Sequence, residues 1–279
     1  MLITSLQNPR VKDLVRLRDR RGRERDQKLL IEGYRELLRA LDADYPVHDL
    51  YTCPTLFQGV NEPALIERCR AAGTQVFETT EAVFRKVAYR ERPEGLIGVG
   101  PQVHRGLADI VLPEAGSALL LIAEAIEKPG NLGTMLRSAD ATAVTALIVC
   151  DSCTDIFNPN VVRASTGTLF TVPLAEADPE ETIAWLRTHG IRILAATPHA
   201  QTRFTDTDLT APVAIVVGTE QYGLSARWLE ACDLPVRIPM LGKADSLNVA
   251  TATALLLYEA LRQRQAAGLI PDPGPGLPA

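Results

Sequence analysis

The chain has 279 residues, 46% of them apolar and 23% charged, with a formal net charge of −5. That length suits one large domain or two ordinary ones, and the composition is that of a globular protein, which excludes the disordered and fibrous classes. No apolar run approaches the roughly 20 residues of a membrane span, and the N-terminus MLITSLQNPRVKDL lacks the features of a secretory signal, so a cytoplasmic protein without a membrane partner is expected. The first 40 residues hold eleven Lys/Arg against six Asp/Glu, which leaves the remainder near −10. Such asymmetry suits an arm that touches phosphates, although a solvated helix laced with ion pairs gives the same count.

In chain order, NPRVKDLVRLRDRRGRERDQKLLIEGYRELLRALDA reads as two helices with Gly22 as the break, Leu29, Leu30 and Ile31 falling in the second. VHDLYTC, TQVFETT and LIGVGPQ follow as predicted strands, separated by helices around PALIERCRAAG and TEAVFRKVAY, which makes residues 1–105 a small α/β domain. Residues 106–116 are rich in turn formers and read as a linker. From residue 117 a second α/β series begins with ALLLIA, TALIVC, IRILAAT, VAIVVG and LPVRIPM, apolar runs suited to a parallel sheet buried on both faces. A last helix is predicted from near Ser246 to Gly268, and the Pro/Gly-rich residues 267–279 are expected to form a disordered tail.

The five cysteines are odd in number and scattered, unlike a disulfide framework. Cys150 and Cys153 form a CxxC with no second pair and no histidine cluster, so no metal site is expected.

Three loops at predicted strand ends carry the polar residues, where a doubly wound sheet places its ligand. In EAIEKPGNLGTMLRSADAT, Asn131 and Arg137 stand nearly two helical turns apart; alone, Asn131 reads equally as a helix N-cap and Arg137 as a surface ion pair. In VVGTEQYGLS, small residues around Gly218 let backbone approach a ligand, while Glu220 has the alternative of capping the next helix. In IPMLGKADSLNVATATALL, Ser246 has the ordinary explanation of an N-cap, whereas Asn248 inside a first helical turn calls for a hydrogen-bonding reason. Neither GxGxxG nor a P-loop occurs, so ordinary dinucleotide and nucleoside-triphosphate sites lose support.

NLGTMLRSADA, IVVGTEQYGLS and IPMLGKADSLNVATATA resemble, in order, the three motifs of the SpoU (TrmH) RNA methyltransferases, over about residues 117–266, and the front end is similar to the substrate-binding domain attached to many ribosomal RNA members. The resemblance implies a SPOUT catalytic domain, a parallel α/β sheet closed by a deep trefoil knot, behind a small N-terminal α/β RNA-binding domain. It implies a homodimer that transfers methyl from S-adenosyl-L-methionine to a ribose 2′-hydroxyl, in 23S ribosomal RNA before transfer RNA, with no DNA partner. By motif, Thr197, Gly218, Ile238, Met240 and Leu247 are the expected cofactor residues, and Asn131, Arg137, Glu220, Ser246 and Asn248 the expected catalytic ones, Arg137 central among them. The family pattern has glycine where Ala143 stands, and many relatives have histidine where Gly130 stands. A transfer-RNA methyltransferase and a catalytically silent ribosome-assembly protein are the competing readings.

Overall fold

The computed structural model describes residues 2–114, 118–272 and 274; residues 115–116 of the expected linker, residue 117, and 273 and 275–279 of the expected tail lie outside the described residues. The described residues fall into two compact units, one within Met1–Val103 and Thr154–Thr171, the other within His104–Cys153 and Val172–Ala279.

The first unit runs β1 (Leu2–Ile3), α1 (Pro9–Arg16), α2 (Arg20–Asp26), β2 (Lys28–Glu32), α3 (Tyr34–Asp42), β3 (Asp49–Thr52), α4 (Glu62–Ala71), β4 (Gln75–Thr79), α5 (Glu81–Val87) and β5 (Leu96–Pro101). Its sheet has the order β1-β4-β3-β5-β2. Strands β1, β4 and β3 are mutually parallel, and β5 runs antiparallel to both its neighbours. Ile3, Val11, Leu14, Leu30, Phe77, Phe84 and Ile97 build the core.

Two readings of the front end are corrected. Leu29, Leu30 and Ile31 are strand β2, not helix, because they pair with Gly100, Val99 and Gly98 of β5 and are fully buried. A short continuous apolar run fits a buried strand as well as a helix, and here the pairing decides. Gly22 is not the break either: it lies inside α2, where a Cβ would sit 2.0 Å from the Arg16 carbonyl oxygen, so glycine is what lets α2 start so close to the end of α1.

Thr154–Thr171, which the motif-based division places in the catalytic domain, folds onto the first unit. Arg23, 1% exposed, donates through Nε to Asp155 Oδ2 at 2.9 Å and through Nη1 to the carbonyls of Leu17 and Arg18 at 3.0 and 2.8 Å. Arg39 donates to Thr166, and Asn160 Nδ2 to the Tyr89 hydroxyl at 2.8 Å. Of the eleven basic residues in the front end, Arg10, Arg16, Arg20, Arg23 and Arg25 have carboxylate partners. The ion-pair reading therefore holds for those five, and the phosphate reading is left to the others.

The second unit runs β6 (Leu119–Glu124), α6 (Pro129–Ala141), β7 (Ala146–Cys150), β8 (Leu174–Ala177), α8 (Pro179–Thr188), β9 (Arg192–Ala196), β10 (Thr202–Arg203), β11 (Val213–Val217), α9 (Ala226–Ala231), β12 (Leu234–Arg237) and α10 (Val249–Ala266); α7 is the helix Pro159–Ala164 grouped with the first unit. Its seven strands are all parallel, in the order β10-β12-β9-β11-β6-β7-β8. The five predicted strands are β6, β7, β9, β11 and β12, and β6, β7 and β11 are buried along their whole length, as helix-covered parallel strands must be. The short strands β8 and β10 carry too little apolar pattern to be foreseen. Leu107 is buried in this unit's core, with Ile110 and Leu112 packed against it.

Ala143 adopts φ +51°, so the position where the family pattern has glycine does take the left-handed conformation, and alanine bears its cost. Cys150 is buried at the end of β7 and its thiol is pushed up to about 12, chiefly by that burial, which makes it an inert core group. Arg264 of α10, 1% exposed, donates to the carbonyls of Leu209, Ala118 and Ala211 at 2.9, 3.1 and 3.0 Å. Among the described residues no helix is long and apolar enough to cross a membrane.

The buried Arg23–Asp155 pair yields a stability prediction. Arg23→Ala strands the Asp155 carboxylate and two carbonyls, and should cost about 3 kcal/mol in urea unfolding. Arg20→Ala, which removes an exposed pair with Glu24, should cost less than about 0.5 kcal/mol.

Candidate functional site

Strands β6 and β11 are parallel neighbours, with Val217 opposite Ala123, so the loops that leave their carboxyl ends emerge side by side. The first loop leads into α6 through Lys128; the second folds into a small knob before α9. Within the knob Thr219 and Gly223 exchange backbone hydrogen bonds of 3.0 and 3.1 Å, and the Thr219 hydroxyl accepts from the Tyr222 N–H at 2.9 Å. Gly218 is forced by this closure: a Cβ there would lie 2.2 Å from the Gly223 carbonyl oxygen. The base of the knob is tied to β6 by Glu124, 3% exposed, which accepts from the Ser225 N–H at 2.9 Å.

At the tip stands Glu220. Its Oε1 accepts from Asn131 Nδ2 at 2.9 Å and from Asn248 Nδ2 at 2.6 Å, and its Oε2 accepts from the Lys128 ammonium. Asn248 Nδ2 also reaches Asn131 Oδ1 at 3.2 Å. The hydrogen bonds from Lys128 and then Asn131 hold the Glu220 carboxyl below the usual carboxylate range, and the same partner raises the Lys128 ammonium. The ionised form is thus favoured by the fold: its contribution is complete above the ordinary carboxylate pKa and fades as pH falls through the depressed value.

Three of the five expected catalytic residues, Asn131, Glu220 and Asn248, meet here. Asn131 and Glu220 do so without the capping role that each had as its alternative. Asn131 lies in the first turn of α6, behind Lys128 as N-cap, and caps nothing. Glu220 caps no helix. Asn248 is corrected from an interior position to the N-cap of α10: its Oδ1 accepts from Ala250 and Thr251 N–H at 3.0 and 3.4 Å, while its Nδ2 serves the cluster. Its two ends explain it as cap and as site residue together.

Ser246 is corrected in the opposite sense, being an exposed loop residue two positions before the cap. Arg137 is exposed and outside the cluster. Six residues beyond Asn131, it lies about 120° away around the helix at 100° per residue, so the two side chains leave different faces. Lys128 was not singled out in the sequence; the signal was available in its place just before the Pro129 turn of the same loop.

The five expected cofactor residues share a neighbourhood. Val216 of β11 stands opposite Ala195 of β9, and Ala196 opposite Val236 of β12, while the Thr197 N–H donates to the Val236 carbonyl at 2.9 Å. Thr197, Gly218 and Ile238 therefore follow the last pairs of three adjacent parallel strands, within about 10 Å at ordinary strand spacing. Met240 is two residues further on, and Leu247 precedes Asn248, which is bonded to Glu220. From Ile238 to Leu247 the described main chain makes no backbone hydrogen bond. Half-buried apolar side chains (Ile238, Met240, Leu247) beside unpaired amides and carbonyls form a donor set suited to an adenine and a methionine chain.

An all-parallel sheet with a polar cluster at adjacent strand ends places this unit in the parallel α/β class, in which ligands sit at the carboxyl edge of the sheet. The family described as SpoU rRNA Methylase matches residues 118–258, and one described as MRM3-like substrate binding domain matches residues 8–98. The chain belongs to the SpoU rRNA methylase family. It is 32% identical to a 23S rRNA (uridine(2479)-2′-O)-methyltransferase of Streptomyces viridochromogenes, over 89% of this chain and 87% of that protein. A solved RNA 2′-O ribose methyltransferase shares 42% identity with a TM-score of 0.82, covering 95% of this chain and 99% of its own. An AdoMet-bound rRNA methyltransferase from Sinorhizobium meliloti shares 31% with a TM-score of 0.85, covering 94% and 97%.

Lys128→Met removes the strongest influence on Glu220. The Glu220 carboxyl should then titrate at higher pH than in the parent chain, as read by carboxyl carbon NMR; an unchanged midpoint would mean that Lys128 does not hold it.

Proposed function

We propose that the chain is an S-adenosyl-L-methionine-dependent methyltransferase that modifies a ribose 2′-hydroxyl, in 23S ribosomal RNA, working as a homodimer in the cytoplasm. The observation that carries this is the meeting of Asn131, Glu220 and Asn248 beside the strand ends of Thr197, Gly218 and Ile238. Support for the substrate comes from the match to a substrate-binding domain in the first unit and from relatives named as 23S rRNA 2′-O-methyltransferases. In domain terms, residues 1–105 together with Thr154–Thr171 bind RNA and the rest of 117–266 carries the transfer, the sheet closing as the family's trefoil knot.

Bound S-adenosylmethionine supplies the methyl group on a sulfonium. The chain's own part is to hold a 2′-oxygen in line with that carbon and to exclude competing water, and such positioning is worth several kcal/mol of barrier. The main chain of 238–247 and Gly218 hold the donor. Glu220, ionised and saturated by three donors, is a fixed strut that orients Asn131 and Asn248. Ser246, exposed in the same loop, is free to hydrogen-bond the RNA.

As a guanidinium with donors only, Arg137 acts as a clamp on phosphate or on charge developing at the oxygen, not as a base. Its place outside its own chain's cluster suits a site completed by a second copy. Tyr222 and Leu241, 78% and 100% exposed on the two loops beside the cluster, supply apolar surface for that copy.

The test is transfer of labelled methyl from S-adenosylmethionine to ribosomal RNA. Arg137→Ala should lower turnover by about a hundredfold, the scale of a lost charge-stabilising donor. Its cofactor affinity by calorimetry should stay near the parent's. Parental turnover in the variant would remove Arg137 from the mechanism.

A further inference from the structure

The first unit contains a cleft of about 1030 Å³ that the methyl-transfer chemistry does not use. Two kinds of group line it. Arg90 belongs to the framework: its guanidinium donates to Glu36 Oε1 at 2.6 Å and to Glu94, two lining carboxylates that it neutralises. Arg35, Arg92 and Arg163, by contrast, are exposed on the lining, and their guanidiniums have neither a carboxylate partner nor a hydrogen bond among the described residues. Three free guanidiniums around one concavity, in a chain of net negative charge, select an anionic ligand.

Two further lining groups narrow the ligand. Glu62 is 4% exposed; its Oε1 accepts from the Gln58 and Gly59 N–H groups at 3.1 and 2.8 Å, but its Oε2, equally buried, has no partner. Arg90 Nε is a second buried polar atom without a partner. A buried polar atom left unpaired costs about 1–3 kcal/mol, so one cleft holds both an acceptor and a donor that await a complement. A purely anionic ligand, such as phosphate or an acidic peptide, satisfies the arginines and is repelled by the carboxylate. A nucleotide satisfies both: phosphates on the guanidiniums, and a base edge, which pairs a donor with an acceptor, on Glu62 and Arg90. Tyr34 and Tyr89 offer half-buried rings in the same lining for stacking.

We infer that this cleft captures a single-stranded stretch of RNA, with Arg35, Arg92 and Arg163 on its phosphates and Glu62 Oε2 on the exocyclic amino group of one base. This rests on the reading of the first unit as an RNA-binding domain and adds a base preference to it. Cytosine fits and uracil does not. Cytosine presents its N4 amino group to a carboxylate, whereas uracil puts a carbonyl oxygen at that place.

The test uses the full chain without S-adenosylmethionine, and fluorescence anisotropy with labelled short oligocytidylate and oligouridylate. The expected result is about tenfold tighter binding of oligocytidylate, the lower end of one base-specific contact. Arg92→Ala and Arg163→Ala should weaken both oligomers severalfold and alike, each lowering the salt slope by about one. Glu62→Gln keeps an oxygen for the Gln58 and Gly59 amides and turns the free position into a donor, so the preference should vanish or reverse toward uridine. Gly59→Ala is the second variant: its Cβ would lie 3.3 Å from Glu62 Oε2, crowding the free oxygen without altering charge, and it too should erase the preference. Thermal melts of each variant report folding.

Equal binding of the two oligomers by the parent overturns the inference. So does a cytidine preference that survives in folded Glu62→Gln, or displacement of oligocytidylate by an equally charged poly-aspartate peptide. Because no cofactor is present, failure here leaves the methyl-transfer reading intact, and a chain inert toward S-adenosylmethionine leaves the oligonucleotide result intact.

Discussion

One carboxylate holds the carboxyl edge of the parallel sheet together. Glu220 accepts from a lysine at the head of α6, an asparagine within α6 and an asparagine at the head of α10, so two segments far apart in sequence converge on the two oxygen atoms of a third. An acceptor with that many donors stays ionised and fixed, and the amides bound to it lose their rotational choice. That rigidity is what positioning chemistry needs, because the reacting atoms must be held to within fractions of an ångström before any charge develops.

The convergence follows from strand order. β11 lies between β9 and β6, so the chain places a late strand at the centre of the sheet and brings the loop of 218–224 against the start of α6. Glu124, buried at the end of β6, then secures that loop from beneath through Ser225. The long α10 returns over α6, with Asn248 both ending its exposed N–H groups and facing Glu220. Backbone architecture and site chemistry therefore share a residue, and substitutions of Asn248 that keep the cap need not keep the site.

Much of this was legible before the fold. Of the five apolar runs that became β6, β7, β9, β11 and β12, three (β6, β7 and β11) are buried along their whole length and β9 at its centre, which gives them an unambiguous pattern, while β12 was marked by its apolar residues alone. The three motif loops stood at their ends, as a parallel sheet requires. What was not legible has physical reasons. Leu29–Ile31 form a run too short for periodicity to separate helix from strand, and only pairing with β5 resolves it. The start of α10 was placed near Ser246 because two good capping residues compete within three positions, and local propensity does not choose between them. The attachment of Thr154–Thr171 to the first unit depends on Arg23 and Asp155, a contact across 132 residues that no local signal announces. Gly22 looked like punctuation but serves close packing, which a sequence shows only as an absent side chain.

The most direct measurement is a crystal structure with S-adenosylhomocysteine, the demethylated product of the donor. The product's adenosine should lie against the main chain of Gly218, Ile238 and Leu247, its sulfur facing the Glu220–Asn131–Asn248 cluster. Density in any other part of the chain, or a protein that fails to take up the ligand while folded, would contradict the assignment of these strand ends as the donor site.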